Sequence, residues 1–502
     1  MVESSISQQV AKSSFYNLLT AIISRGGALI FTFFLARLLL PEGFGIYSLA
    51  LAIILFLQSL IELGTNSALL KYVPENIHNP GLAKVYLSRI LKIKLYLTGI
   101  ASLIMLLLAY PLSNQIFNQP ELLYLLLFSP IYLFVLSIEG TYSLLFYVFG
   151  DVKMVFFKEI LSQFLRIGFL LLIPIFFARN AYLHLSFFSI ITALFITAIL
   201  VFFMCFVRYA KLFSHAISPS VDYQDLNRFI WYVSLGGFSA MFFSSIDVML
   251  LGALIKDISY VGYYRAATTL VFSVAGLLTF TNILLPRIAQ LPKSHLQSAW
   301  DKLMRYALFL TIPAVIGMII LGKYIIRAVY GYAFLDASWI LYILAFVLIE
   351  AVLSGIAYSV LSARGKPESY TFASTIALGL SFILMPLSIY LFLPISYLAA
   401  TISASVAILF CRAVYLVLLL SKVKSSLGLE IFKPRIILKP LISSVLMGII
   451  LVALNTFFIK DMTWLSGFLE VLLGIILYFI ALFLLGGITK EDIMLFYPKN
   501  IV

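Results

Sequence analysis

Charge, histidine and cysteine are all scarce in this chain, and each scarcity removes a class of protein. Only 11% of the 502 residues are charged, against about 25% in an ordinary soluble domain. That leaves too little polar surface to cover a water-soluble globule. The four histidines and two cysteines, Cys205 and Cys411, form no CxxC motif and no Cys/His cluster. A disulfide framework, structural zinc and haem are therefore not expected, and no cofactor or metal is assigned. Both cysteines lie inside apolar runs and read as packing residues. No DxD motif occurs, and no loop is long enough to hold catalytic groups. This weighs against a membrane-embedded glycosyltransferase or polymerase, and against an enzyme in general.

What remains is apolar. Hydrophobic residues make up 63% of the chain, gathered in runs long enough to cross a bilayer, which takes roughly 20 residues per helix. The expectation is an all-α integral membrane protein of about fourteen spans. Six lie near 15–40, 44–70, 93–112, 122–148, 155–178 and 182–207. Six more lie near 227–255, 260–286, 303–322, 335–361, 370–391 and 396–420, and two last ones near 436–458 and 464–486. The first run is too long for a signal peptide and reads as an uncleaved span.

The net charge of +13 resides in short loops between these runs. Nucleic-acid binding is a poorer account of it than positive-inside topology. With the N-terminus in the cytoplasm, 24 Lys and Arg fall in cytoplasmic segments and six in outer ones. Both termini are then cytoplasmic, in the cell membrane. The basic stretch from Gly81 to Lys94 reads as an interfacial segment attracted to anionic lipid.

The chain also repeats itself. Thr65-Asn66, Leu69, Lys71 and Arg89 recur as Thr281-Asn282, Leu285, Arg287 and Arg305 at an offset of 216. Tyr142-Ser143 matches Tyr358-Ser359 at the same offset. Phe44-Gly45-Ile46-Tyr47 matches Val261-Gly262-Tyr263-Tyr264 at 217, and Gly150 matches Gly365 at 215. Six spans separate equivalent positions, so both copies enter the membrane in one direction. They form a parallel repeat about an axis along the membrane normal. The expected domains are a six-helix bundle over 1–210, a second over 211–424, and two added helices with a short tail over 425–502.

The segment Ala36-Arg37-Leu38, Pro41-Glu42-Gly43-Phe44-Gly45-Ile46-Tyr47 resembles the first-loop signature of polysaccharide-export flippases. Asp247-Val248-Met249-Leu250-Leu251-Gly252, Val261-Gly262-Tyr263-Tyr264 and Ala266-Ala267 resemble the matching signature in the second half. With the six-plus-six-plus-two plan, the whole chain resembles the oligosaccharide flippases of the multidrug/oligosaccharidyl-lipid/polysaccharide (MOP) exporter superfamily. The resemblance implies two six-helix bundles around a central cavity, alternating access, and a lipid-linked oligosaccharide as cargo.

Charge within the spans needs a reason, because each such group costs about 2.5–3.5 kcal/mol on insertion scales. The resemblance makes Arg25 and Arg265 the leading phosphate ligands, since their spans line the cavity in that family. A guanidinium suits a phosphate because it donates two parallel hydrogen bonds and stays charged. Arg37 and Arg166 are further candidates, and Asn66, Asn282 and Tyr264 are candidates for the sugar. The competing reading pairs these cations with carboxylates, Arg25 with Glu62 and Arg265 with Asp247. Asp247, Glu62, Glu139 and Glu350 are candidates for coupling to a proton or Na⁺ gradient. Membrane lipids and the glycosyltransferases or polymerase of the same pathway are candidate partners. The leading function is translocation of a lipid-linked oligosaccharide, through its phosphate or diphosphate, to the outer leaflet for surface polysaccharide or glycoprotein assembly. A flippase for a lipid-linked peptidoglycan precursor and a cation-coupled multidrug exporter are the alternatives.

Overall fold

The computed structural model describes residues 2–76, 78–210, 223–278, 292–366, 368–431, 434–457 and 464–487. Among them the chain is helical, with no strand. In hydrocarbon a backbone group has no water to bond, so the segment must satisfy itself, as a helix does. The helices are α1 (Val2–Glu75), α2 (Pro80–Tyr110), α3 (Pro120–Val148), α4 (Val152–Phe176) and α5 (Tyr182–Arg208). Then come α6 (Gln224–Phe243), α7 (Ile246–Leu254), α8 (Ser259–Leu278), α9 (Lys293–Tyr330), α10 (Ala337–Leu344) and α11 (Val347–Ala363). The last are α12 (Glu368–Phe392), α13 (Tyr397–Leu427), α14 (Pro434–Phe457) and α15 (Trp464–Leu484).

Eleven helical stretches are long and apolar enough to cross a membrane. The first is α1, whose two arms fold at Leu40 and count separately. The pair α6–α7, bent by 49°, supplies one further pass, and α15 supplies the last. The protein is thus a multi-pass membrane protein with room for fourteen passes, as its apolar runs imply.

Leu40 has φ 59° and ψ 177°, a region that an L residue rarely adopts. Pro41 follows and bars its predecessor from helical geometry. The turn between the first two passes is therefore one residue long. Helix α2 starts at Pro80, with Asn79 as its cap accepting from the Leu82 amide at 3.3 Å. The stretch Gly81 to Lys94 is helical and continuous with the apolar part of α2. Helix α9 likewise extends well beyond the expected 303–322 at both ends.

The repeat is visible in two places. At the end of α3, Gly150 adopts φ 73°, and at the end of α11 its counterpart Gly365 adopts φ 72°. In each turn the next amide reaches back five residues, Asp151 to the Phe146 carbonyl at 2.7 Å and Lys366 to the Leu361 carbonyl at 3.0 Å. This is one helix stop built twice, and glycine is the residue that tolerates it. The second place is a mutual contact. A Cβ on Gly45 would overlap the Ile258 carbonyl, and a Cβ on Gly262 would overlap the Pro41 carbonyl. Ile258 is the repeat partner of Pro41, so the contact is reciprocal, as for surfaces related by a two-fold axis. The matches at Thr281-Asn282, Leu285 and Arg287 lie outside the described residues.

The chain falls into two compact units. One comprises residues 1–265 and 374–404, the other 266–373 and 405–502. In the first, α1 packs on α2, α3, α4 and α6. In the second, α9 packs on α14 and α15 around Leu321, Met447, Leu451, Tyr478 and Leu482.

Candidate functional site

Polar residues inside the first unit recur at helical spacing, which puts them on shared faces. Gln58, Glu62 and Asn66 lie along the second arm of α1, and Lys94 and Thr98 along α2. Glu139 and Ser143 lie along α3, and Lys158, Glu159 and Gln163 along α4.

These residues form two ion-pair networks. In the first, the Lys94 ammonium donates to Asn66 Oδ1 at 2.9 Å and meets Glu62 Oε1 at 3.5 Å. The Gln58 amide donates to Glu62 at 2.9 Å and to the Ser137 hydroxyl at 3.3 Å. Thr98 and Ser137 share a bond of 2.9 Å. Gly140 lets the α3 backbone approach, since a Cβ there would stand 3.1 Å from Glu62 Oε1. In the second network, Lys158 meets Glu139 at 3.0 Å and Glu159 at 3.5 Å. The Ser143 hydroxyl donates to Glu139 at 2.6 Å and the Gln163 amide to Glu159 at 2.8 Å. The Ser24 side chain also bonds Glu159.

The arginines stand apart from these carboxylates. Glu62 is engaged by Lys94, not by Arg25. Arg25 is half-buried and makes no ion pair or side-chain hydrogen bond among the described residues. The Arg166 guanidinium lies 4.8 Å over the Phe31 ring, and its buried Nε has no partner. Arg37 is exposed and stacks on Phe33 at 4.4 Å. Arg265 is half-buried on α8.

The remaining candidates are tied into packing. Tyr264 is buried and donates to Asp247 at 2.7 Å, while the other Asp247 oxygen takes the Val248 amide at 2.8 Å. Asn66 serves Lys94. In the second unit Glu350 accepts from Arg412 at 3.3 Å, and Arg412 lies 5.0 Å over the Phe272 ring. Asn282 lies outside the described residues. An open pocket of about 400 Å³ in the first unit is lined by Leu254, Lys256, Tyr260, Leu393, Ser396 and Tyr397.

Lys94 and Lys158 correct the reading of the loops, which counted both as cytoplasmic charges. Lys94 is 1% exposed and Lys158 is 16% exposed, each within a spanning helix. They stand near the edges of apolar runs, where a charge count assigns them to the loop. The signal that betrays Lys94 is its face: Ile90, Lys94, Thr98 and Ala101 recur on one side of α2 and all are buried. Gln58 and Gln163 were also missed, each a polar residue one turn from a carboxylate inside an apolar run.

Comparison with known proteins agrees with this architecture. No curated protein matches the chain. Among solved structures, one described as the lipid II flippase MurJ in an inward closed conformation superposes with a TM-score of 0.70. It is 17% identical and covers 94% of this chain and 98% of its own. A multidrug resistance MATE family transporter of the MOP superfamily, inward-facing, gives a TM-score of 0.57 at 14% identity over 83% and 95% of the two chains. A MOP superfamily transporter from Pyrococcus furiosus gives 0.60 at 13% identity over 84% and 95%. The fold is that of MOP-superfamily transporters. A family model described as polysaccharide biosynthesis protein matches residues 10–292, more than half of the sequence. The chain belongs to the polysaccharide biosynthesis protein family.

Proposed function

We propose that this protein is a flippase that carries a lipid-linked oligosaccharide, held by its phosphate or diphosphate, from the cytoplasmic to the outer leaflet of the cell membrane by alternating access. One observation carries the reading. The carboxylates Glu62, Glu139 and Glu159 are taken up by lysines, amides and hydroxyls, and Arg25 and Arg166 touch none of them. Two permanent cations inside a spanning bundle, with no carboxylate partner among the described residues, are costly unless an anion visits them. Sugar hydroxyls alone require no cation, and a cationic drug would be repelled. A phosphate on a lipid carrier supplies the missing charge.

The test is translocation in proteoliposomes of a fluorescent oligosaccharide on a polyprenyl diphosphate. A polyprenyl diphosphate carrying a peptidoglycan-type disaccharide and a cationic dye serve as rival cargoes. Arg25→Gln with Arg166→Gln is expected to lower flipping of the oligosaccharide by about tenfold or more, the loss of charge-assisted bonds. Undiminished flipping by the double variant, or transport of the dye alone, sinks the proposal. Imposed proton and Na⁺ gradients in the same vesicles identify the driving force.

A further inference from the structure

The two copies of the repeat carry the same tyrosine in different company. Tyr47 and Tyr264 are equivalent at the offset of 217 that also relates Gly45 to Gly262. Both are buried, at 2% and 1% exposure. The Tyr264 hydroxyl has an acceptor built in, Asp247. At offsets of 216 and 217 the first-repeat counterparts of Asp247 are Phe31 and Ile30, which accept nothing. Among the described residues the Tyr47 hydroxyl accordingly has no hydrogen-bond partner. A buried hydroxyl left so costs about 1–3 kcal/mol, and native proteins seldom keep one without a use.

The surroundings of Tyr47 invert the charge found in the second copy. Where the second repeat holds a carboxylate, the first holds Phe31 with the Arg166 guanidinium above its ring. Arg166 Nε is also buried and unpartnered. Arg265, the residue after Tyr264, is a second cation within Coulombic reach of the Tyr47 hydroxyl. A neutral donor therefore lies within Coulombic reach of cations contributed by both repeats and of the Tyr132 hydroxyl, and among the described residues nothing accepts its hydrogen bond.

We propose that the Tyr47 hydroxyl donates to a phosphate oxygen of the cargo, flanked by Arg166 and Arg265, and so discriminates a phosphorylated polyprenyl carrier from a neutral one. This rests on the reading that the cargo is phosphate-linked. The physical basis is asymmetric. A phosphate oxygen completes a strong charge-assisted bond, whereas a neutral carrier leaves the hydroxyl buried and unpaired. Tyr264 cannot substitute, because Asp247 already holds its proton donor.

The experiment compares binding of a polyprenyl diphosphate and of the polyprenol of equal length to the full chain in nanodiscs, with unfolding temperature read on each variant. Wild type is expected to favour the diphosphate. Tyr47→Phe is expected to lose about tenfold or more of that affinity, leave polyprenol binding unchanged, and keep the wild-type unfolding temperature. Tyr264→Phe, which strips Asp247 Oδ2 of the tyrosine donor, is expected to lower the unfolding temperature. Full diphosphate affinity in Tyr47→Phe overturns the inference, as does a drop in its unfolding temperature matching that of Tyr264→Phe. If Arg25→Gln with Arg166→Gln loses the diphosphate while Tyr47→Phe does not, the role of Tyr47 falls and the phosphate reading stands. If wild type itself fails to prefer the diphosphate, the phosphate reading falls and the role of Tyr47 falls with it.

Discussion

Lys158 touches two carboxylates from within a spanning helix, and its removal takes away the cation that both share. Breaking a buried pair by deleting one partner costs about 3–5 kcal/mol, because the other charge stays behind unpaired. Lys158→Met is therefore expected to lower the unfolding temperature in detergent sharply. Adding Glu139→Gln to the same chain should recover part of the loss. A Lys158→Met protein as stable as wild type would show that water, not Lys158, satisfies Glu139. Individual residues were unevenly legible. Arg25 and Arg166 stand deep in apolar runs, so any reading of the chain notices them. Lys94 and Lys158 stand near the edges of runs, where a basic residue looks like a loop charge. Tyr47 falls within the repeated signature, but nothing in the sequence separates it from the residues beside it; its missing acceptor among the described residues marks it. That absence depends on which atoms face it across three helices, and no spacing within one helix encodes this.

At the scale of elements, the reciprocal contact of Gly45 with Ile258 and Gly262 with Pro41 is where the two repeats meet backbone to backbone. The obstacle to a larger residue is a carbonyl on a helix, which cannot swing aside as a side chain can. Gly45→Ala or Gly262→Ala is expected to cost about 1–3 kcal/mol by overpacking. Gly99→Ala, in α2 with nothing within 4 Å of the added atom, should instead hold or raise stability. Thermal unfolding of the three variants checks this, and equal behaviour would mean the helices part easily at the glycines. The elements themselves were readable because hydrocarbon leaves the backbone one solution. The repeat was readable because Gly150 and Gly365 must adopt the same left-handed turn. The ends were not: α2 begins more than ten residues before the apolar run does, since its early basic turns still bury one face.

For the whole molecule, an even number of passes and the skew of Lys and Arg predict that both termini lie on the cytoplasmic side. The two native thiols are buried and in no disulfide, so introduced cysteines report almost alone. Lys153→Cys, in the first turn of α4, and Lys256→Cys, in the turn before α8, are both exposed. A membrane-impermeant maleimide added to intact cells is expected to label Lys256→Cys and to spare Lys153→Cys until the membrane is opened. The opposite pattern would reverse the topology, and with it the direction of transport. The two buried lysines weaken the charge skew without changing its sign, so the expected orientation is the same with or without them in the loop count.

The joint at Leu40 has a consequence for how this protein can diverge. A helix turns by about 100° per residue, and one residue separates the first arm of α1 from the second. An insertion there would have no slack in which to be absorbed. It would rotate the following arm about its own axis, carrying Gly45 off its neighbour and turning Tyr47 out of the buried position it occupies. The longer connectors elsewhere can drift in length; this joint sets the angular phase of the strip of residues that follows it, and its length is fixed by that phase.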